Sequence, residues 1–250
     1  MKLWRWDTAS ESLTLLLEEQ NETYVSVHDN LKFLDDHSFL WTSERDGYNH
    51  IYHYNENGKL IRQLTQGEWE VTSVYVLNPK LKELYYQSVE GGSTERRVYS
   101  IKLNGKGKRL MQGTKGTNGA SFSSNGRYYI HSFSNEVTPP RYSIYQTKSN
   151  SLLSSLLDNE NLKDKIEEFG FSDRVFSTLS INGEELNMWM IKPEDFDPSK
   201  TYPLLMFQYS GPGSQQVANR WGDQRLLWHK SLANQGYIIA CVDGRGTGFK

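Results

Sequence analysis

Phe39-Leu40-Trp41-Thr42-Ser43, Glu44-Arg45-Asp46-Gly47, His50-Ile51-Tyr52-His53-Tyr54 and Asn57-Gly58 follow one another in this 250-residue sequence. An aromatic-rich run, a turn closed by glycine, an alternating run and an Asn-Gly pair read as successive strands joined by hairpins. The arrangement recurs. Phe39, Leu84 and Tyr128 hold the same place in a hydrophobic strand, 45 and 44 residues apart, and Gly58, Gly105 and Asn150 hold matching turns, 47 and 45 apart. Short strands repeating every 40–45 residues are the mark of β-propeller blades. Residues 33–159 are therefore expected to form about three blades, a number too small to close a ring. The first unit is read as strands at 39–43, 50–54, 61–64 and 71–77; the second as 84–88 and 97–103; the third as 127–133 and 141–147.

The pattern then changes. Between 151 and 170, Leu162, Ile166 and Phe169 recur at helical spacing and Gly170 stands where a helix would stop, so a short connecting helix is expected. Residues 175–181 and 184–191 flank Asn182-Gly183, a hairpin signal. Pro203-Leu204-Leu205-Met206-Phe207 is continuous and apolar, as for a strand buried on both faces. Residues 225–235 read as a helix, with Leu227 and Ser231, then Trp228 and Leu232, four apart and Gly236 as the cap. A second buried strand follows at 237–242. Strand, helix, strand implies a right-handed parallel crossover in an α/β sheet. The expected class is mainly β plus α/β: a partial propeller over 1–155, a linker with a short helix over 156–174, and the beginning of an α/β domain over 175–250. Both ends are expected to be cut, since neither a three-blade propeller nor so small a sheet stands alone.

The net charge of −2 gives no electrostatic case for nucleic acid or anionic lipid. Cys241 is the sole cysteine, which excludes an internal disulfide and a thiolate zinc site. No apolar run approaches the roughly 20 residues of a membrane-spanning helix, and Lys2-Leu3 is followed by Trp4, Arg5, Trp6 and Asp7 rather than by a signal-peptide core. His50 and His53, three apart on a strand, face opposite sides, so no shared metal is expected. His28, His37, His131 and His229 are isolated and read as surface or satisfied structural residues. No cofactor and no metal is expected.

Several ordered motifs carry a family resemblance. Met188-Trp189-Met190-Ile191-Lys192-Pro193, Phe196-Asp197-Pro198-Ser199-Lys200-Thr201-Tyr202-Pro203-Leu204-Leu205, Tyr209-Ser210-Gly211-Pro212-Gly213-Ser214-Gln215 and Asp243-Gly244-Arg245-Gly246-Thr247-Gly248 resemble the start of the α/β-hydrolase domain in the prolyl oligopeptidase clan, nearest to the dipeptidyl peptidase IV type. Ser43-Glu44-Arg45-Asp46-Gly47-Tyr48-Asn49-His50-Ile51-Tyr52 and residues 65–71, with Trp69-Glu70, resemble late propeller blades of the same enzymes. The resemblance runs from about Leu31 to Lys250. It implies a serine exopeptidase that removes N-terminal X-Pro or X-Ala dipeptides, with peptides as substrates and a possible homodimer. The family's nucleophile sits in a Gly-x-Ser-x-Gly elbow, and this sequence contains no such pentad. The resemblance places the Ser/Asp/His triad beyond residue 250 and the paired glutamates that hold a substrate's amino terminus in an earlier blade, so this chain alone is expected to be inactive. The single cysteine fits an exported or periplasmic bacterial relative, and a cytoplasmic one is also compatible.

Tyr209 is the candidate catalytic residue. It ends a strand, where open α/β sheets place their sites, and its ring is expected to be buried there. Gly211-Pro212-Gly213 leaves room above it. By resemblance its hydroxyl is a donor of the oxyanion hole; a phenol keeps its proton at neutral pH and can donate to a developing oxyanion. Asp243 and Arg245 flank a turn and read as a structural ion pair or turn hydrogen bonds. Gly244, Gly246 and Gly248 lack the Gly-Lys-Ser/Thr of a phosphate loop. Cys241 reads as an inert core thiol. Two other readings remain at this point: a non-catalytic propeller module that binds peptide or protein, and a sibling acylaminoacyl peptidase or prolyl endopeptidase.

Overall fold

A computed structural model of the chain describes residues 1–209, 211–222 and 224–249. Ser210 and Lys250, which belong to the stretches quoted above, lie outside the described residues. The chain opens with a hairpin, β1 (Lys2–Asp7) and β2 (Ser12–Glu18). Asp7 Oδ1 accepts the N–H groups of Ala9 and Ser10, each at 2.9 Å, which turns the chain between the two strands. Leu16 and Leu17 pack this hairpin onto Phe39, Trp41, Tyr52 and Tyr54.

Three four-stranded antiparallel sheets follow: β3 (Lys32–Phe33), β4 (Phe39–Ser43), β5 (His50–Tyr54) and β6 (Leu60–Gln63); β7 (Val71–Asn78), β8 (Glu83–Ser88), β9 (Arg97–Lys102) and β10 (Arg109–Gln112); β11 (Thr117–Phe122), β12 (Tyr128–Ser134), β13 (Arg141–Gln146) and β14 (Ser151–Leu157). Phe39, Leu84 and Tyr128 fall on the second strand of each sheet, and Gly58, Gly105 and Asn150 on each turn between third and fourth strands, as their spacing implies. Those turn residues have φ of +78°, +74° and +55°, the left-handed region where glycine and asparagine cost least.

Two sequence readings are corrected. Residues 71–77 do not complete the first unit; they pair with β8 as the first strand of the second sheet. A repeat fixes the spacing of its strands but not where a sheet begins, and residues 64–70 cross from one sheet to the next. Residues 151–157 are strand β14 rather than the start of a helical segment. Leu152, Leu153, Leu156 and Leu157 sit at helix-like intervals, but pairing with β13 satisfies the backbone and overrides the local pattern. The connecting helix is α1 (Glu160–Glu168), and Gly170 follows it with φ +60°.

The α/β part is a sheet in the order β15-β16-β18-β17. β15 (Val175–Ile181) and β16 (Glu184–Ile191) form the hairpin across Asn182-Gly183, whose φ values of +54° and +84° suit a two-residue turn. β17 (Leu204–Met206) and β18 (Ile238–Val242) are parallel, joined through α2 (Gln224–Asn234). After α2, Gly236 donates to Ala233 O at 2.9 Å and Tyr237 to Leu232 O at 3.2 Å, the paired bonds of a glycine-capped helix end. Leu226 and Ala233 of α2 bury Trp189, Ile191, Ile239 and Cys241. The helix therefore does not turn Trp228 inward, which stays 55% exposed. Within this chain α2 covers the face of β17 that carries Leu205, while Leu204 and Met206 on the other face are exposed. Among the described residues no helix is long and apolar enough to cross a membrane.

Three of the histidines are held by hydrogen bonds inside the blades. His50 sits between Thr65 Oγ1 (3.1 Å) and Gly67 O (2.9 Å), and His53 Nε2 lies 2.8 Å from Ser38 Oγ. The Asn118 amide donates to Arg96 O and Thr114 O, so its Oδ1 faces His131 and accepts from Nε2–H at 3.0 Å. Burial pushes His131 from 6.5 down to about 4. The unfolded chain therefore binds this proton at a higher pH than the fold does. The stability tied to neutral His131 is complete above pH 6.5 and is lost as pH falls to about 4, a swing of about 3 kcal/mol at 1.36 kcal/mol per unit. Urea unfolding at pH 7 and pH 4.5 should show that loss in the native sequence and a smaller one in His131→Gln; equal losses would contradict this account.

Candidate functional site

Tyr209 lies three residues beyond Met206, and the β17 pairing continues as Phe207 N–H donates to Ala240 O at 2.8 Å. Its ring is not buried: Tyr209 is 68% exposed at the carboxyl edge of the sheet. The reason is that β17 ends early and the chain turns away over Gly211. A Cβ on Gly211 would stand 2.5 Å from Tyr209 Cε1, so the backbone passes directly against the ring and a larger residue there would push the ring aside. Ser214 N–H closes the turn onto Gly211 O at 3.0 Å.

The loops following the two parallel strands are laced together. Asp243, 6% exposed, accepts from Gln216 N–H (2.9 Å to Oδ1) and from Val217 N–H (2.8 Å to Oδ2). Gly213 N–H donates to Gly246 O at 2.9 Å. Asp243 thus serves turn geometry, in the neighbouring loop rather than its own. Arg245 does not pair with it; its guanidinium lies 3.6 Å from Glu184 in an exposed contact. Cys241 is fully buried, and burial pushes its thiol up to about 12, which leaves it inert as a nucleophile.

The propeller-like sheets press on this edge through residues that no sequence pattern marked. The loop between β8 and β9 sends Ser93 O to Gln215 Nε2 (2.9 Å), Ser93 Oγ to Asn187 Nδ2 (2.9 Å) and Thr94 O to Asn219 N–H (2.9 Å). Arg96 Nη2 donates to Gln215 Oε1 at 2.6 Å. Burial pushes Arg96 down to about 10, with the charge of Arg220 acting in the same direction, so it keeps its proton at neutral pH. Further along, Glu136 accepts from Arg174 through the backbone N–H (3.0 Å) and Nε (2.5 Å), and Lys230 Nζ of α2 approaches at 3.7 Å. A cavity of about 230 Å³ opens beside Phe207 and Gln216, walled by Arg174, Arg220 and Arg225. Among the described residues no group of acidic, histidine or cysteine side chains could hold a metal.

The dipeptidyl peptidase IV (DPP IV) N-terminal region family matches residues 1–140, more than half of the chain. The chain belongs to that family. A probable dipeptidyl peptidase 4 of Aspergillus flavus is 31% identical over 98% of the chain and 33% of its own length. Trichophyton rubrum dipeptidyl peptidase 4 is 35% identical over 83% of the chain and 27% of its own length. The crystal structure of Porphyromonas gingivalis dipeptidyl peptidase 4 superposes with a TM-score of 0.91 at 38% identity, over 99% of this chain and 35% of that one. The chain thus spans about a third of the length of the dipeptidyl peptidase 4 proteins it matches. The three four-stranded sheets are accordingly propeller blades of this family, and the fold expected from the repeat and from the α/β motifs is the one observed.

Proposed function

We propose that this chain is part of a serine peptidase that removes X-Pro and X-Ala dipeptides from the amino terminus of peptides through an acyl-enzyme. The observation that carries the proposal is likeness along 98–99% of the chain to proteins named dipeptidyl peptidase 4. In this reading, the propeller spans residues 1 to about 155, with its last strand β14 ending at Leu157, the linker follows to 174, and 175–250 begin the α/β-hydrolase domain. The serine of a Gly-x-Ser-x-Gly elbow attacks the scissile carbonyl, its proton passes to a histidine, and the carbonyl oxygen becomes an oxyanion. None of those triad residues is supplied by this chain. Its own contribution is the Tyr209 hydroxyl, which donates to the oxyanion from an open edge position where a substrate carbonyl can reach it.

The 250-residue chain alone should then neither hydrolyse Gly-Pro-arylamide nor take up a fluorophosphonate, whereas the full-length parent protein should do both. Labelling of the isolated chain at a serine, with turnover, would overturn the assignment of the nucleophile to the rest of the parent.

A further inference from the structure

We propose that Arg96, in the second propeller blade, is a positioning residue for the Tyr209 hydroxyl and acts through Gln215; this rests on the oxyanion reading of Tyr209. The chain of contacts is short. Tyr209 rests its ring against Gly211, and Gly211 belongs to the turn closed by Ser214 N–H at 3.0 Å. The next residue, Gln215, has both ends of its carboxamide committed to the blade: Oε1 accepts from Arg96 Nη2 at 2.6 Å, and Nε2 donates to Ser93 O at 2.9 Å. Arg96 is well placed to hold a fixed position. Its N–H donates to Gly116 O (3.1 Å), its carbonyl accepts from Asn118 N–H (3.0 Å), and its Nη1 donates to Ser93 O (3.1 Å) and Glu95 O (2.8 Å). The same guanidinium lies 4.1 Å from the centre of the Phe249 ring, so the loop after β18 leans on it too. One propeller arginine thereby braces both loops at the carboxyl edge of the parallel strands.

An oxyanion donor works because it is held in place before charge develops, and a shift of about 1 Å costs up to about 100-fold in rate. A lysine could not replace Arg96, because a single ammonium lacks the planar fork that reaches two carbonyls and the Gln215 oxygen together.

The test is a double-mutant cycle on the full-length parent protein: unmodified, Arg96→Met, Tyr209→Phe and both together. Each kcat is normalised to active serines counted with a fluorophosphonate, so a loss of folded enzyme does not enter. Arg96→Met should lower kcat about 10–100-fold with KM within about twofold. Added to Tyr209→Phe it should cost less than about twofold more, because the donor it positions is already gone. If Tyr209→Phe is slow but Arg96→Met is as fast as the parent, or its loss multiplies in full on Tyr209→Phe, the positioning role is wrong and the oxyanion reading stands. If Tyr209→Phe itself keeps kcat within about threefold, the oxyanion reading has failed and this inference with it. Should Arg96→Met not fold, Gln215→Leu removes the same link from the other side and must give the same non-additive loss.

Discussion

Tyr209→Phe in the full-length parent protein is expected to lower kcat by about 10²–10³-fold, the usual cost of one oxyanion donor. KM should move little. In the proposed role the hydroxyl meets the carbonyl oxygen strongly only once that oxygen is tetrahedral and charged, so ground-state binding should lose almost nothing. The substitution removes one hydroxyl and keeps the ring. In the 250-residue chain, where Tyr209 is 68% exposed, that leaves no buried group unpaired, and the stability of this chain should stay within about 0.5 kcal/mol. Steady-state kinetics on a folded variant decide the matter: kcat within about threefold of the parent would return Tyr209 to a purely structural role.

Glu136→Gln should destabilise the fold by about 3–5 kcal/mol. Glu136, Arg174 and Lys230 are all less than a tenth exposed and come from three separate places: the turn between β12 and β13, the linker before β15, and α2. Neutralising Glu136 leaves the Arg174 guanidinium buried beside Lys230 with its counter-charge gone. Because the cluster ties the α/β sheet to the third blade, the loss should appear as a drop in the melting temperature of roughly 6–20 °C, at about 2–4 °C per kcal/mol. Arg174→Met, which removes a charge and leaves an apolar stem among Phe176 and Trp189, should cost less than Glu136→Gln. A Glu136→Gln protein that melts within 2 °C of the native chain would show that the pair contributes nothing net.

The repeat was legible because each blade is built from local hairpins. Strand pairing sets the 44–47-residue spacing of Phe39, Leu84, Tyr128 and their partner turns, and every one of those residues occupies its equivalent place. The hairpin at Asn182-Gly183 and the parallel pair β17 and β18 were legible for the same reason: turn chemistry and apolar runs act over a few residues. What depends on distant neighbours was not. Residues 71–77 look the same whether they end one blade or begin the next, and only pairing with β8 decides. The leucines of β14 fit a helix until β13 lies beside them. Leu204 and Met206 read as facing a covered side of the sheet, and within this chain the helix α2 covers the opposite face, that of Leu205.

At the site, Tyr209 is singled out by the motif around it, and its place at the carboxyl end of β17 follows from the fold. Asp243 was read as a turn residue, and it is one, although the turn belongs to the loop at 216–217. The braces were invisible. Ser93 and Gln215 stand 122 residues apart, and although Gln215 belongs to a quoted motif, nothing in the sequence ties it to Ser93 until the fold brings them together.

The most direct test of the account is hydrolysis of Gly-Pro-arylamide by the full-length parent protein, side by side with the N-acetylated substrate. Dipeptidyl peptidase chemistry predicts release of the arylamine from the free-amine substrate and next to none from the acetylated one, because a free amino terminus must be held two residues before the scissile bond. Equal cleavage of both would point to an endopeptidase, cleavage of the acetylated substrate alone to an acylaminoacyl peptidase, and either result would contradict the proposed function.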